Sequence, residues 1–211
     1  MATLKRFQHL MKILGGSSSP DEIFAEIEKR YQEPHRHYHN LNHVSQCLQE
    51  FDRVRNLAND PPIVELAIWF HDAVYDTHRK DNEAQSARLA ETLLARLGIG
   101  QEVMTRVADF ILMTRHLPGT FPPDGQLLVD LDISILGAPR PLYKQYSEAI
   151  RKEFHWVSDA EYRVGRGQVL NRFLARESLY HTEHYRSELE TRAQRNIQSE
   201  ISLLERRASL G

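Results

Sequence analysis

Three short fragments of the sequence carry imidazole and carboxylate groups within stretches whose pattern is otherwise helical. They are residues 38–43, the adjacent pair His71 and Asp72, and residues 130–132. Imidazole nitrogen and carboxylate oxygen are common ligands of divalent metal ions in proteins. The fragments are spread over the first two-thirds of the chain, so several elements are needed to bring them together. We therefore predict a metal centre built from several helices.

The two histidine-containing fragments differ in how strongly they indicate a metal. His39 and His43 are four residues apart, which places them on one face of a helix, but two partly exposed polar histidines are a simpler interpretation. His71 and Asp72 follow the apolar run 66–70, where an ionised carboxylate is costly unless it is paired. A divalent ion would compensate that charge and accept the neutral imidazole. The alternative is an Asp72 paired with a nearby arginine and a His71 that faces water.

The third fragment contains two aspartates, of which one is expected to reach the ion. Asp132 lies between the apolar residues 127–129 and Ile133, so the same argument about burial applies to it. Asp130 and Asp132 are two residues apart and point to different faces of a helix. We therefore expect only one of them to bind a given ion.

Helical periodicity dominates the chain, and no segment shows the alternation of a strand. The fold is predicted to be all-α, a single-domain helical bundle of about nine or ten helices. Residues 1–16 are expected to form an N-terminal helix and residues 17–211 the main helical domain. Ser19 with Glu22, and Ser158 with Glu161, match the capping box that begins a helix. The helices are expected at about 3–14, 20–32, 40–58, 63–74, 81–97, 101–115, 125–136 and 182–207, with one or two more before the last, and residues 117–125 are expected to form a loop.

Composition excludes several classes of protein. The chain has 211 residues, with 27 basic and 29 acidic side chains of interspersed sign, so it lacks the basic face of a nucleic-acid-binding protein. No apolar run reaches transmembrane length, and the N-terminus lacks the apolar core of a signal peptide. The single Cys47 excludes a disulfide framework and a site with several thiolates. We expect a cytoplasmic protein with neither a nucleic-acid partner nor a membrane; the oligomeric state stays open.

The order of the fragments, a histidine, then His-Asp, then a distant aspartate, resembles the HD superfamily of metal-dependent phosphohydrolases. The fragments around residues 38–43 and 131–134 are also similar to stretches of the cyclic-nucleotide phosphodiesterases, distant members of that superfamily. The resemblance implies an HD-type fold with His43, His71, Asp72 and Asp132 as metal ligands. It also implies that His39 is the catalytic imidazole that protonates the leaving oxygen, and that Asp72 has a catalytic role and bridges to a second ion.

The similarity is greatest to a bacterial group of predicted metal-dependent HD phosphohydrolases, and it extends through residues 82–83, 150–151 and 165–166. Two departures concern the substrate. The second histidine that follows His-Asp in the phosphodiesterases is missing, and Tyr75 replaces the acidic residue of the superfamily's nucleotidases. The implied cofactor is one or two divalent ions, Mn²⁺, Fe²⁺, Co²⁺, Ni²⁺, Zn²⁺ or Mg²⁺. Such an ion withdraws charge from a phosphate ester and ionises a water.

Other polar residues are secondary candidates. Arg36 and Arg151 are predicted to bind substrate phosphate by paired hydrogen bonds, although most arginines are solvated. His116 is predicted to contact the substrate or the metal, or else to stabilise the end of a helix. Asp76 and Glu83 could orient the water or a second ion, or serve the loop and the next helix. Trp69 and Tyr75 are interpreted as packing residues, and no role is assigned to His35, His37, His78, His155, His181 and His184.

The predicted function is the metal-dependent hydrolysis of a phosphate ester of a small molecule such as a nucleotide. Two alternatives remain open at this point. One is a non-catalytic helical module that binds a metal or a ligand. The other is a di-iron oxygenase on the same scaffold, which would need more histidine ligands than His116 alone supplies.

Overall fold

A computed structural model describes residues 1–117 and 119–208, and all regular structure in these ranges is helical. It contains ten α-helices and two short 3-10 helices, with no strand in the described ranges. This confirms the predicted all-α fold and its helix number. Pro118, within the predicted loop 117–125, lies outside the described residues. No helix in the described ranges is long and apolar enough to cross a membrane.

Residues 1–131 form one compact unit. Its helices are α1 (Leu4–Ile13), α2 (Asp21–Tyr31), α3 (Leu41–Val54), α4 (Pro61–Phe70), α5 (Asn82–Arg96), α6 (Gln101–Met113) and α7 (Pro123–Ile133), which extends two residues beyond the unit. Every residue of α4 from Ile63 to Phe70 is buried, because α1, α3, α5 and α6 all pack against this helix. Trp69 is 0% exposed, and its ring contacts Phe7 at 5.4 Å and Phe24 at 5.9 Å between centroids, which confirms that it is a packing residue.

The second unit begins at Asp132. After the 3-10 helix Ser134–Gly137 it contains α8 (Arg140–Glu153), α9 (Asp159–Leu174) and α10 (Glu183–Ala208). The predicted capping box at Ser158 is confirmed, since Ser158 and Glu161 exchange side-chain and backbone hydrogen bonds at the start of α9. The boundary predicted between residues 16 and 17 stays a prediction.

Several predicted helix boundaries are wrong. The helix α2 has Pro20 as its N-cap and no side-chain cap, so the predicted box at Ser19 is absent. The helix α7 starts at Pro123 inside the predicted loop, in keeping with the preference of proline for the first helical position. The helix α4 ends at Phe70 and not near residue 74, and the N–H of Val74 donates to Ser86 Oγ at 3.0 Å. His71 and Asp72 therefore lie in the turn that follows α4.

Candidate metal centre

Three ligand atoms converge at the end of α4. His43 Nε2 lies 3.1 Å from His71 Nε2 and 3.7 Å from Asp72 Oδ2, and His71 Nε2 lies 3.2 Å from the same Oδ2. A triangle with these sides has a circumscribed circle of radius about 1.9 Å, so a point about 2 Å from all three atoms exists, which is the length of metal–nitrogen and metal–oxygen bonds. The structure thus confirms a histidine and aspartate cluster that could hold a metal ion.

The hydrogen bonding of His71 directs an electron pair into this cluster. His71 Nδ1 lies 2.8 Å from the carbonyl oxygen of Ile68, and a carbonyl only accepts, so Nδ1 carries the hydrogen. In the neutral ring Nε2 is then unprotonated, and it faces a carboxylate oxygen of Asp72. Two such electron pairs at 3.2 Å repel each other, and a metal ion, a proton or a hydrogen donated by His43 Nε2 at 3.1 Å would relieve that repulsion. A backbone acceptor behind a ligating histidine is also the usual arrangement in metal sites.

Asp132 adds a fourth donor from the last turn of α7. Ligand atoms of His43, His71, Asp72 and Asp132 all lie within 4.8 Å of one another. Asp132 directly follows Leu131 within α7, so the same helix carries both residues. The two histidines are 2% exposed, whereas both aspartates are half-buried, so part of the donor set is accessible. Two nitrogen and two oxygen donors suit Mn²⁺, Fe²⁺, Co²⁺, Ni²⁺ or Zn²⁺.

Local sequence explains where His43 lies. Asn40 is the N-cap of α3, and its side chain accepts a hydrogen bond from the N–H of Asn42 at 2.9 Å. This cap starts the helix three residues before His43, which places the imidazole in the first turn. The prediction that His39 and His43 share a helix face is therefore wrong, because His39 precedes the cap and lies in a turn.

His39 nevertheless lies beside the cluster. Its ring centroid is 5.8 Å from that of His43, and Tyr75 stacks on it with centroids 4.1 Å apart and ring planes 25° apart. Tyr75, expected to be a packing residue, thus packs on the imidazole that is predicted to be catalytic. Its backbone oxygen is 2.8 Å from His35 Nε2, which gives that neighbouring histidine a loop contact. The catalytic assignment of His39 stays a prediction.

The predicted substrate-binding arginines both have partners in the protein. The side chain of Arg36 is 0% exposed, and it donates to Glu33 and to three backbone carbonyl groups. Arg151, in the second unit, donates to Asp159 and to the carbonyl groups of Phe154 and Val157, which closes the turn between α8 and α9. Through these hydrogen bonds both guanidinium groups connect segments of the protein. A substrate contact by either arginine stays a prediction.

The two acidic candidates Asp76 and Glu83 lie in different surroundings. Asp76 accepts hydrogen bonds from the backbone and the ring of His78, and these bonds lower the pKa of Asp76. Burial and the charge of Asp72 raise the pKa of Glu83, and the opposing charges of Arg115 and His116 lower it. Glu83 is therefore within electrostatic reach of the cluster, whereas Asp76 stabilises its own loop.

His116, the third predicted substrate contact, lies just after α6. It is half-buried and has a backbone φ of 54°, which is uncommon for a residue other than glycine. His116 lowers the pKa of Glu83, whereas Asp72 raises it, so both residues are within electrostatic reach of Glu83. The predicted substrate contact of His116 stays a prediction.

The sequence interpretation missed Cys47, which lies next to the predicted ligands. With His43 and His71 it forms a second group whose donor atoms are within 4.8 Å of one another. Its Sγ is 3.8 Å from both ring nitrogens of His43, so it lies beside the ring and not along the direction of the Nε2 electron pair. Cys47 follows His43 by one helical turn, and that spacing could have identified it.

Comparisons of the chain with protein-family models, with curated proteins and with solved structures return no match.

Proposed function

We propose that the protein is a metal-dependent phosphohydrolase of the HD type that cleaves a phosphate ester of a small molecule such as a nucleotide. The observation that supports it most is the common point about 2 Å from His43 Nε2, His71 Nε2 and Asp72 Oδ2, a distance that matches metal–ligand bonds. The order of these residues and of Asp132 along the chain, which resembles that superfamily, gives the site its proposed reaction.

His43, His71, Asp72 and Asp132 would hold the ion. When bound, a divalent ion supplies positive charge to an anionic ester and lowers the pKa of a water molecule. The two buried histidines exclude water from the inner side of the cluster, since each is 2% exposed. The half-buried Asp72 and Asp132 leave the other side accessible to a small anionic substrate.

His39 would protonate the leaving oxygen in its imidazolium form. Imidazole groups titrate near neutral pH, which suits a general acid. Tyr75 covers one face of the His39 ring, so the ring can turn little and its nitrogen atoms keep their direction. The 5.8 Å between the centroids of His39 and His43 leaves His39 close to the cluster without making it part of the ligand group.

The test is a screen of phosphorylated metabolites with purified protein and several added divalent ions. In the His39→Ala variant, metal binding should persist while kcat falls about 10²–10⁴-fold, the usual contribution of a general acid. The exposed His37, two residues away, provides the control, and His37→Ala should leave kcat unchanged.

Two results would contradict this proposal. One is a wild-type protein that binds metal but releases phosphate from no substrate, which would favour the non-catalytic binding module. The other is an iron-dependent absorption band without phosphate release, which would favour an oxygenase.

A further inference from the structure

Arg36 connects the turn that carries His39 with the turn that carries Asp72. Its Nη1 donates to the backbone oxygen of Asp72 at 2.6 Å and to that of His39 at 3.1 Å. Its Nη2 donates to the backbone oxygen of Ala73 at 3.2 Å, and its Nε donates to Glu33 Oε2 at 2.9 Å. One buried side chain therefore holds two segments that are more than thirty residues apart in sequence.

The environment of Arg36 suits a guanidinium group. A buried cation is costly unless hydrogen bonds and nearby charge compensate it. Here the ring of Tyr31 lies 5.2 Å and the ring of Tyr75 lies 5.6 Å from the guanidinium carbon, within the range of cation–π attraction. The planar fork spreads its N–H donors over three nitrogen atoms and so spans these separated acceptors, whereas a lysine donates from one nitrogen atom only.

The carbonyl groups that Arg36 binds belong to functional residues. Asp72 supplies the Oδ2 that lies 3.2 Å from His71 Nε2, and His39 is the proposed general acid. Tyr75 stacks on His39 and also faces the guanidinium group, so one tyrosine contacts both His39 and Arg36. A shift of Arg36 would therefore move the carboxylate and the imidazole relative to each other.

We propose that Arg36 is a positioning residue of the metal centre, which holds the Asp72 turn and the His39 turn in register. The inference rests on the proposed function, since it assumes that Asp72 binds the metal. Groups that form hydrogen bonds to metal ligands and so orient them usually contribute 10- to 100-fold to metal affinity. Arg36 acts through the backbone of Asp72, so its loss should weaken metal binding without removing a ligand.

The test measures the metal affinity of the full chain by competition with a chelator. Arg36→Ala should weaken binding about 10- to 100-fold, and Arg36→Lys should weaken it to an intermediate degree. Adding millimolar guanidinium should restore part of the affinity of Arg36→Ala, because the cation can enter the space that the side chain left. The control is Arg6→Ala, since Arg6 is also largely buried and donates to Asp52 and Glu65, away from the cluster.

A purely structural role predicts a different result. A purely structural role of Arg36 would lower the free energy of unfolding of Arg36→Ala and Arg36→Lys. The metal affinity of both variants would then equal that of the wild type. Equal affinity in a folded Arg36→Ala, or in Arg36→Lys if the alanine variant does not fold, would overturn the inference alone. A wild-type protein that binds no divalent ion would overturn the proposed function as well, so the two failures are distinguishable.

Discussion

Glu65 is the acidic residue of the otherwise apolar helix α4, and its replacement by glutamine should destabilise the protein. Its side chain is 6% exposed, with Oε1 2.8 Å from Arg6 Nε and Oε2 2.5 Å from Arg55 Nη1. Removing one partner of a fully buried pair typically costs about 3–5 kcal/mol. Arg55 is 38% exposed and Arg6 also binds Asp52, so solvent and that carboxylate compensate part of the loss. We expect Glu65→Gln to lower the free energy of unfolding by about 1–3 kcal/mol.

Urea denaturation followed by circular dichroism measures this free energy by linear extrapolation. The matched control is Asp52→Asn, which removes the other carboxylate that Arg6 binds. The Asp52 side chain is 50% exposed, so the control should cost about 0–1 kcal/mol. If the Glu65→Gln variant stays within about 0.5 kcal/mol of the wild type, or if the two variants lose equal stability, the argument from burial is wrong.

Three further predictions concern single residues. Asp124 is buried and accepts hydrogen bonds from the two backbone N–H groups just before α4, so Asp124→Ala should cost about 1–3 kcal/mol in urea denaturation; a smaller loss would contradict this. Ser158→Ala removes the capping box of α9 and should cost about 1 kcal/mol in the same measurement, whereas an unchanged midpoint would contradict it. Burial and the charge of Asp72 raise the pKa of Glu83, so folding favours its protonated form and the stability that this form contributes is lost as pH rises through that pKa. In chelator-treated protein, Glu83→Gln should therefore be more stable than the wild type at neutral pH and equal to it well below the ordinary glutamate pKa of about 4.3; equal stability at both pH values would contradict this.

Local pattern predicted most of the helices and a metal centre built from three fragments, whereas the choice of ligands within those fragments followed from the family resemblance. Apolar periodicity placed eight of the helices to within a few residues, whereas α8 and α9 were given no range. The cost of burying a carboxylate at the end of an apolar run singled out Asp72, and the structure places it beside His43 and His71. Buried polar groups need compensation in any fold, so this signal is independent of the tertiary arrangement.

The surroundings of the cluster were not predictable in the same way. The contacts of Arg36 were not predictable, because its acceptors include backbone carbonyl groups, which every residue possesses and no sequence pattern marks. His39 does lie next to His43, but the predicted reason was wrong. The two residues share no helix face, and the turn that precedes the cap of α3 places His39 there. Beyond the end of α4 at Phe70, the N–H of Val74 donates to Ser86 of α5, a tertiary contact that local pattern does not reveal. Such contacts follow from the assembled fold.

The metal content of the purified chain decides whether His43, His71 and Asp72 form a metal centre. After dialysis against trace divalent ions, elemental analysis should find at least one ion per wild-type chain. The Asp72→Asn variant keeps the shape of the side chain but loses its charge, and it should retain much less than one ion. A wild-type chain that retains no divalent ion, or an Asp72→Asn variant that retains as much as the wild type, would contradict the assignment of His43, His71 and Asp72 as a metal centre.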